Sequence, residues 1–132
     1  MDNSYLEIEK NPSAVDLNEV PVIEYESFYT KVRDLLRNGS NHCLSYFGFE
    51  RDNDLIFICL IADDSSGKVR AFSFSVGREI SSVKSLTTEC PAMHIFEREI
   101  HENLGIGFDG HPWLKPVRYP FNRKNRDKVM DN

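Results

Sequence analysis

The residues best equipped for chemistry lie between His94 and His111. His94, Glu97 and His101 stand at three- and four-residue steps, the spacing that brings side chains together along a helix. A further imidazole, His111, follows in a glycine-rich stretch. Imidazole and carboxylate are the ligands of zinc sites and the parts of acid–base pairs. The spacing nevertheless disfavours a shared ion. His94 and His101 are seven residues apart, about 10 Å along a helix axis. Both would have to come within about 2.0–2.1 Å of one zinc. The metalloprotease pattern, with two histidines four apart, is absent. His111 precedes Pro112 and has no paired nucleophile, so it is expected to be a turn residue bonding backbone rather than a catalyst. A stand-alone metal-binding protein or enzyme using His94, His101 and His111 is the alternative reading.

Other chemistry is thin. Cys43, Cys59 and Cys90 are the three cysteines and form no C-x-x-C pair. They cannot supply the four thiolates of an iron–sulfur cluster, and an odd count fits buried free thiols better than a disulfide framework. Gly105, Gly107 and Gly110 stand at the intervals of a dinucleotide-binding loop, but they follow a helical segment and open none, so no helix N-terminus would meet a pyrophosphate. There is no Walker sequence, serine elbow or kinase signature.

A net charge of −5 over 132 residues argues against a general nucleic-acid binder. Residues 1–26 hold seven acids against Lys10 alone, while residues 115–128 hold six bases against Asp127. The two ends read as solvated tails or as docking arms for different neighbours. No run approaches the roughly 18–20 apolar residues that cross a bilayer. The acid-bearing N-terminus lacks the apolar core of a secretory leader, so a cytoplasmic location is expected, with membrane association only through partners.

The elements that would hold these residues can be read from periodicity. Residues 1–20 form an acidic, extended lead-in, with a short strand near Val20 to Ile23. Tyr25, Phe28, Tyr29, Val32, Leu35 and Leu36 share one helical face, and Asn38-Gly39 is expected to close that helix. Three strands follow, Cys43 to Phe49, Leu55 to Ala62 and Val69 to Val76, joined by short polar turns that favour antiparallel pairing. The Leu55 run is apolar on both faces and belongs in the middle of a sheet. A second helix is expected from Thr88 or Cys90 to Leu104, with Pro91 in its first turn and Gly105 ending it. The predicted class is α+β: a mainly antiparallel sheet of three to five strands with helices packed against it, one domain over residues 20–120 and a polar tail over 121–132.

On the second helix, Ala92, Met93, Phe96, Ile100 and Leu104 fall in one apolar sector. His94, Arg98 and His101 lie opposite, with Glu97 at the edge of that group. Arg98 presents a planar fork suited to carboxylates.

The string Glu97-Arg98-Glu99, Glu102, Gly105-Ile106, Gly110-His111-Pro112 and Leu114 resembles the signature of the thirty-kilodalton subunit family of respiratory complex I, the NADH dehydrogenase of respiratory chains. Glu102 stands where that family usually has Asp, Leu104 where it has an aromatic residue, Trp113 where it has Asp, and Lys115-Pro116 where it has two bases. These departures look like the branch found in membrane-bound [NiFe]-hydrogenases, including formate hydrogenlyase types. The resemblance implies a structural or assembly subunit of an oxidoreductase complex, without a redox centre of its own. Fe–S clusters and the [NiFe] or quinone site would lie in partner subunits. Those partners would be a hydrogenase large subunit or a 49 kDa-like subunit of complex I, and the Fe–S subunit of the same complex. The partner contacts expected on this basis are Glu97, Arg98, His101, Glu102, His111, Trp113, Arg118 and Tyr119, with Gly105, Gly110 and Pro112 shaping the turn. No catalytic or metal residue is assigned in this chain.

Overall fold

The computed structural model describes residues 5–9 and 19–114. Its elements are β1 (Leu6–Glu9), α1 (Tyr25–Leu36), β2 (Asn41–Arg51), β3 (Asp54–Asp63), β4 (Lys68–Gly77), β5 (Ser82–Lys84), α2 (His94–Leu104) and β6 (Gly107–Asp109). A 3₁₀ turn, Pro91–Met93, leads into α2. The fold is α+β, as expected. Four antiparallel strands lie in the order β1-β4-β3-β2, and β5 and β6 form a separate parallel pair.

The three expected strands form an antiparallel meander. The β2–β3 link is tight because Asp52 adopts the left-handed conformation, φ 53°, which Asp tolerates better than most residues. The β3–β4 turn is held by Asp63, whose Oδ1 accepts the Ser65 N–H at 3.0 Å and the Ser65 hydroxyl at 2.6 Å. As the apolar pattern of the Leu55 run requires, β3 is internal. β4 is internal too, because β1 pairs Leu6 with Ala71 through Glu9 with Lys68 on its outer edge. Beyond β1 the same edge is taken by the segment around Val22. Ile23 N–H donates to Ser73 O at 2.9 Å, and the Ser73 hydroxyl donates to Pro21 O at 2.7 Å. Both phases of Val69 to Phe74 are buried except Arg70, as suits a strand with neighbours along both edges. The lead-in thus carries a four-residue strand that its composition did not announce.

Both helices pack on the face bearing Tyr46, Phe57, Phe72 and Phe74. Phe57 and Phe74 face each other across β3 and β4 and stack at 4.6 Å with planes 9° apart. Phe28 of α1 meets Phe74 edge-on at 4.6 Å. Burying each such ring is worth about 1.5–3 kcal/mol. The α1 face read from spacing is the buried one, with Phe28, Tyr29 and Val32 inside. Its end differs from the expected glycine cap. The C-cap is Arg37 in right-handed geometry, and Gly39 does not take a positive φ. Instead the Asn41 side-chain amide donates to Leu35 O at 2.9 Å, and Asn38 Oδ1 accepts from the Ser40 N–H at 3.0 Å and its hydroxyl at 2.9 Å. A side chain from the next strand satisfies a helix carbonyl that a left-handed residue would otherwise help to cover.

α2 runs over β2. Gly48 makes that approach possible, since a Cβ there would sit 2.8 Å from Leu104 Cδ1 and from the Phe57 ring. β5, α2 and β6 form a small parallel crossover that ties the chain after β4 to the chain after α2. No helix among the described residues is long and apolar enough to cross a membrane.

Candidate functional site: the outer side of α2 and its exit turn

Local sequence sets α2 and its exit. Pro91 opens the 3₁₀ turn that leads into α2, which starts three residues later than Pro91 at His94, and Gly105, at φ 80°, stops the helix with its N–H donating to His101 O at 2.9 Å. Gly110, at φ 87°, makes the next reversal. Both glycines expected to shape the turn therefore hold backbone geometry that a Cβ opposes. Between them β6 pairs with β5, and Gly107 N–H donates to Ser81 O at 2.8 Å. The exit is built on sheet hydrogen bonds rather than on loop packing alone.

The helix and the turn before it depart from the sequence wheel at Glu97 and at Ala92. Glu97, expected at the edge of the polar side, is 0% exposed. It sits four residues after Met93 and three before Ile100, both buried, so it belongs to the buried stripe. Its Oε1 accepts the Ser85 hydroxyl at 2.5 Å and the Thr87 hydroxyl at 2.6 Å, and its Oε2 accepts the Leu86 N–H at 2.8 Å. A partner-contact role for Glu97 is corrected by this burial: the carboxylate clasps the 85–87 segment inside the chain. Glu102, also expected at a partner surface, is 2% exposed and offers no surface to a neighbour. Ala92, placed in the apolar sector, is exposed.

Arg98, Trp113, His101 and His111 remain at or near the surface. The Arg98 guanidinium lies over the Trp113 ring, 4.6 Å from its centroid, and Trp113 is 55% exposed. A cation over an indole face is worth about 0.5–1 kcal/mol at such a site. His101 donates through Nδ1 to Ile106 O at 2.8 Å, spanning the Gly105 cap. His111 uses both ring nitrogens on backbone. Nε2 donates to His94 O at 3.2 Å, and Nδ1 accepts the Trp113 N–H at 3.0 Å. It is the turn residue the sequence suggested, tying the exit loop to the start of α2 and fixing where Trp113 emerges. Pro112 and His94 are exposed. Arg118 and Tyr119 lie outside the described residues, as do Lys115-Pro116 and the 121–132 tail.

The histidines His101 and His111 are thus committed to shaping backbone. Among the described residues, no group of three or more His, Cys, Asp or Glu side chains is placed to hold a metal ion. Near the base of α1 a second polar cluster forms. Tyr29 donates to Glu89 at 2.5 Å, Arg37 reaches Glu89 at 3.9 Å, and Lys84 lies 4.7 Å from the Tyr29 ring centroid. Burial and this hydrogen bond push the Tyr29 phenol up to about 12. The same hydrogen bond, with Arg33, Lys84 and Arg37 nearby, holds the Glu89 carboxyl below its usual range.

Sequence reasoning missed Ser85, Leu86 and Thr87 as the internal partners of Glu97. A signal was available: a charged side chain in register with Met93 and Ile100 needs a buried partner, and Ser85-Leu86-Thr87-Thr88 is the hydroxyl-rich segment just upstream. Gly48 carries a signal of the same kind, since glycine within a strand marks close approach.

No curated protein matches this chain. The family model described as respiratory-chain NADH dehydrogenase, 30 Kd subunit, matches residues 21–123. That span takes in the meander, both helices and the Glu97–Leu114 string, and the chain belongs to that family.

Proposed function

We propose that this chain is a non-catalytic docking subunit or domain of a membrane-bound electron-transfer complex, seated on the large catalytic subunit through the outer side of α2 and the 110–114 turn. The observation that carries the reading is Arg98 laid over the half-exposed Trp113 ring at 4.6 Å. Arg and Trp are the residue types that dominate interface energetics once a partner excludes water. Here two backbone bonds to His111 fix the loop that presents the indole. A rigid aromatic anchor loses little entropy on docking. Arg98, His101, His111, Trp113 and Pro112 form the contact set, with Arg118 and Tyr119 extending it along the chain. Gly105 and Gly110 keep the turn in shape. The Fe–S clusters and the [NiFe] or quinone site belong to the large and Fe–S subunits of the complex. The chain then lies at the inner face of the cell membrane through those subunits and binds no nucleic acid.

The [NiFe]-hydrogenase branch is favoured over NADH oxidation by Trp113 and by Lys115-Pro116, where the family pattern carries an acid and two bases. The test is affinity purification of the tagged full chain from its own cells. A [NiFe]-type large subunit in the wild-type eluate supports the branch, and a 49 kDa-like subunit of an NADH dehydrogenase assigns the other. Trp113→Ala and Arg98→Ala should lower recovery of the large subunit at least tenfold while each purified variant keeps its thermal midpoint within a few degrees. Undiminished recovery with both variants would sink the docking surface.

A further inference from the structure

Two thiols meet across the sheet. Cys43 of β2 and Cys59 of β3 place their sulfurs 3.9 Å apart. Register shows why. Tyr46 pairs with Cys59 and Ser45 with Leu60, so unbroken pairing would set Leu44 against Ile61 and Cys43 against Ala62. Side chains alternate faces along a strand, and Cys43 would then point away from Cys59. A β-bulge between Cys43 and Ser45 inserts Leu44 as an extra residue, and Cys43 pairs with Ile61 instead. Its side chain is thereby turned to the face that carries Cys59. Bulges commonly re-aim a side chain in this way.

The two thiols differ in access. Cys43 is partly exposed, whereas Cys59 is 0% exposed and lies in the aromatic core. A reachable thiol poised against a second, shielded thiol is the arrangement of redox-responsive cysteine pairs. In reducing compartments such disulfides form transiently rather than as permanent staples.

We propose that Cys43 and Cys59 are a switchable dithiol that closes to an intramolecular disulfide when the chain meets a hydroperoxide. The Cys43 thiolate attacks the peroxide, breaking the O–O bond; the sulfur becomes a sulfenic acid, and the departing oxygen takes a proton and leaves as water or alcohol. The Cys59 sulfur then displaces the sulfenic oxygen, which takes up the Cys59 proton and leaves as water. Two electrons pass from the thiols to the peroxide, and an S–S bond replaces two S–H bonds. Burial and the hydrogen bond with Cys43 push the Cys59 thiol up, so the partly exposed Cys43 is the thiol that meets the peroxide first, and Cys59 resolves because its sulfur is already within 3.9 Å. Closure draws the sulfurs from 3.9 Å to about 2.05 Å. It staples the edge strand β2 to β3 beside the bulged Leu44, itself 48% exposed. This inference is independent of the docking surface on α2.

The test treats the reduced full chain with hydrogen peroxide, then alkylates it under denaturing conditions. The expected product has lost the mass of two hydrogen atoms and takes up one alkyl group, on Cys90, in place of three. A peptide map without reductant should join the Cys43 and Cys59 peptides, and dithiothreitol should restore all alkylation sites. Cys43→Ser should abolish the link. Cys59→Ala should stop the reaction at a sulfenic acid on Cys43, captured as one dimedone adduct. Should Cys59→Ala fail to fold, the wild-type peptide map decides alone. A link from Cys43 to Cys90 or to a second chain, direct conversion of Cys43 to a sulfinic acid, or full alkylation after peroxide would overturn the proposal.

Discussion

The Ser85 hydroxyl donates to Glu97 Oε1 across 2.5 Å, and this contact joins the chain after the sheet to the first turn of α2. Glu97 also takes the Leu86 N–H and the Thr87 hydroxyl, so one carboxylate satisfies three buried donors. Glu97→Ala would leave all three without this acceptor and should cost about 3 kcal/mol or more, since each stranded buried donor carries about 1–3 kcal/mol. Glu97→Gln should cost less, about 1–3 kcal/mol, because one oxygen is kept while an N–H₂ replaces the other. Urea unfolding of the two variants against wild type checks both size and order. Equal, near-zero losses would show that the clasp does not hold the domain.

The exit of α2 predicts a contrast between glycines. Gly105 stands at φ 80°, so Gly105→Ala should cost about 1–2 kcal/mol from the left-handed penalty, and a β-branched residue more. At Gly39 a Cβ would meet nothing within 4 Å and φ is not positive, so Gly39→Ala should stay within about 0.5 kcal/mol. Thermal unfolding midpoints of the pair measure the difference directly.

Gly48 tests whether α2 and β2 are pressed together. A methyl at that position falls 2.8 Å from Leu104 Cδ1 and the Phe57 ring, and overpacking of this kind costs about 1–3 kcal/mol. In the double variant Gly48→Ala with Leu104→Ala, part of that loss should be recovered. Additive losses in a double-mutant cycle would contradict the contact.

Tyr29 should shape stability at both ends of the pH scale. Its folded value of about 12 lies above the ordinary 10.0, so the fold binds this proton more tightly than the unfolded chain does. That contribution is complete below pH 10 and is lost as pH rises through the folded value. Glu89 is the reverse case: its carboxyl is held below the ordinary 4.5, so its contribution is present above that value and is lost as pH falls through the lowered one. Tyr29→Phe removes the phenol and the main partner of Glu89 together. Denaturant midpoints across pH should therefore decline less steeply in the variant at both extremes. The alkaline slope should not vanish, because burial also pushes up Tyr25 and Tyr46.

Much of the fold could be read from the chain itself. The α1 face from Tyr25 to Leu36, the three-strand meander, the internal place of Leu55 to Ala62 and the stop at Gly105 all follow from local rules: side-chain period, turn residues and the freedom of glycine. His111 as a backbone-bonding turn residue was legible for the same reason. The contacts that went unread are those whose partners lie far along the chain or depend on which face something covers. Leu6 to Glu9 pairs with a strand some sixty residues on, and nothing in four residues of mixed polarity specifies that match. Arg98 meets Trp113 only because two left-handed glycines and the β5–β6 pairing fold the exit back along the helix.

The sequence by itself determined the class of fold, the faces of α1 and the glycine–histidine–proline string that resembles the family signature. Tertiary structure alone decided that Glu97 is an internal clasp while Arg98 beside it faces outward, and that a one-residue bulge sets Cys43 against Cys59. Periodicity records where a side chain points relative to its own backbone. What lies opposite that side chain depends on the path of the whole chain, and it is the opposite group that makes a carboxylate structural or a thiol reactive.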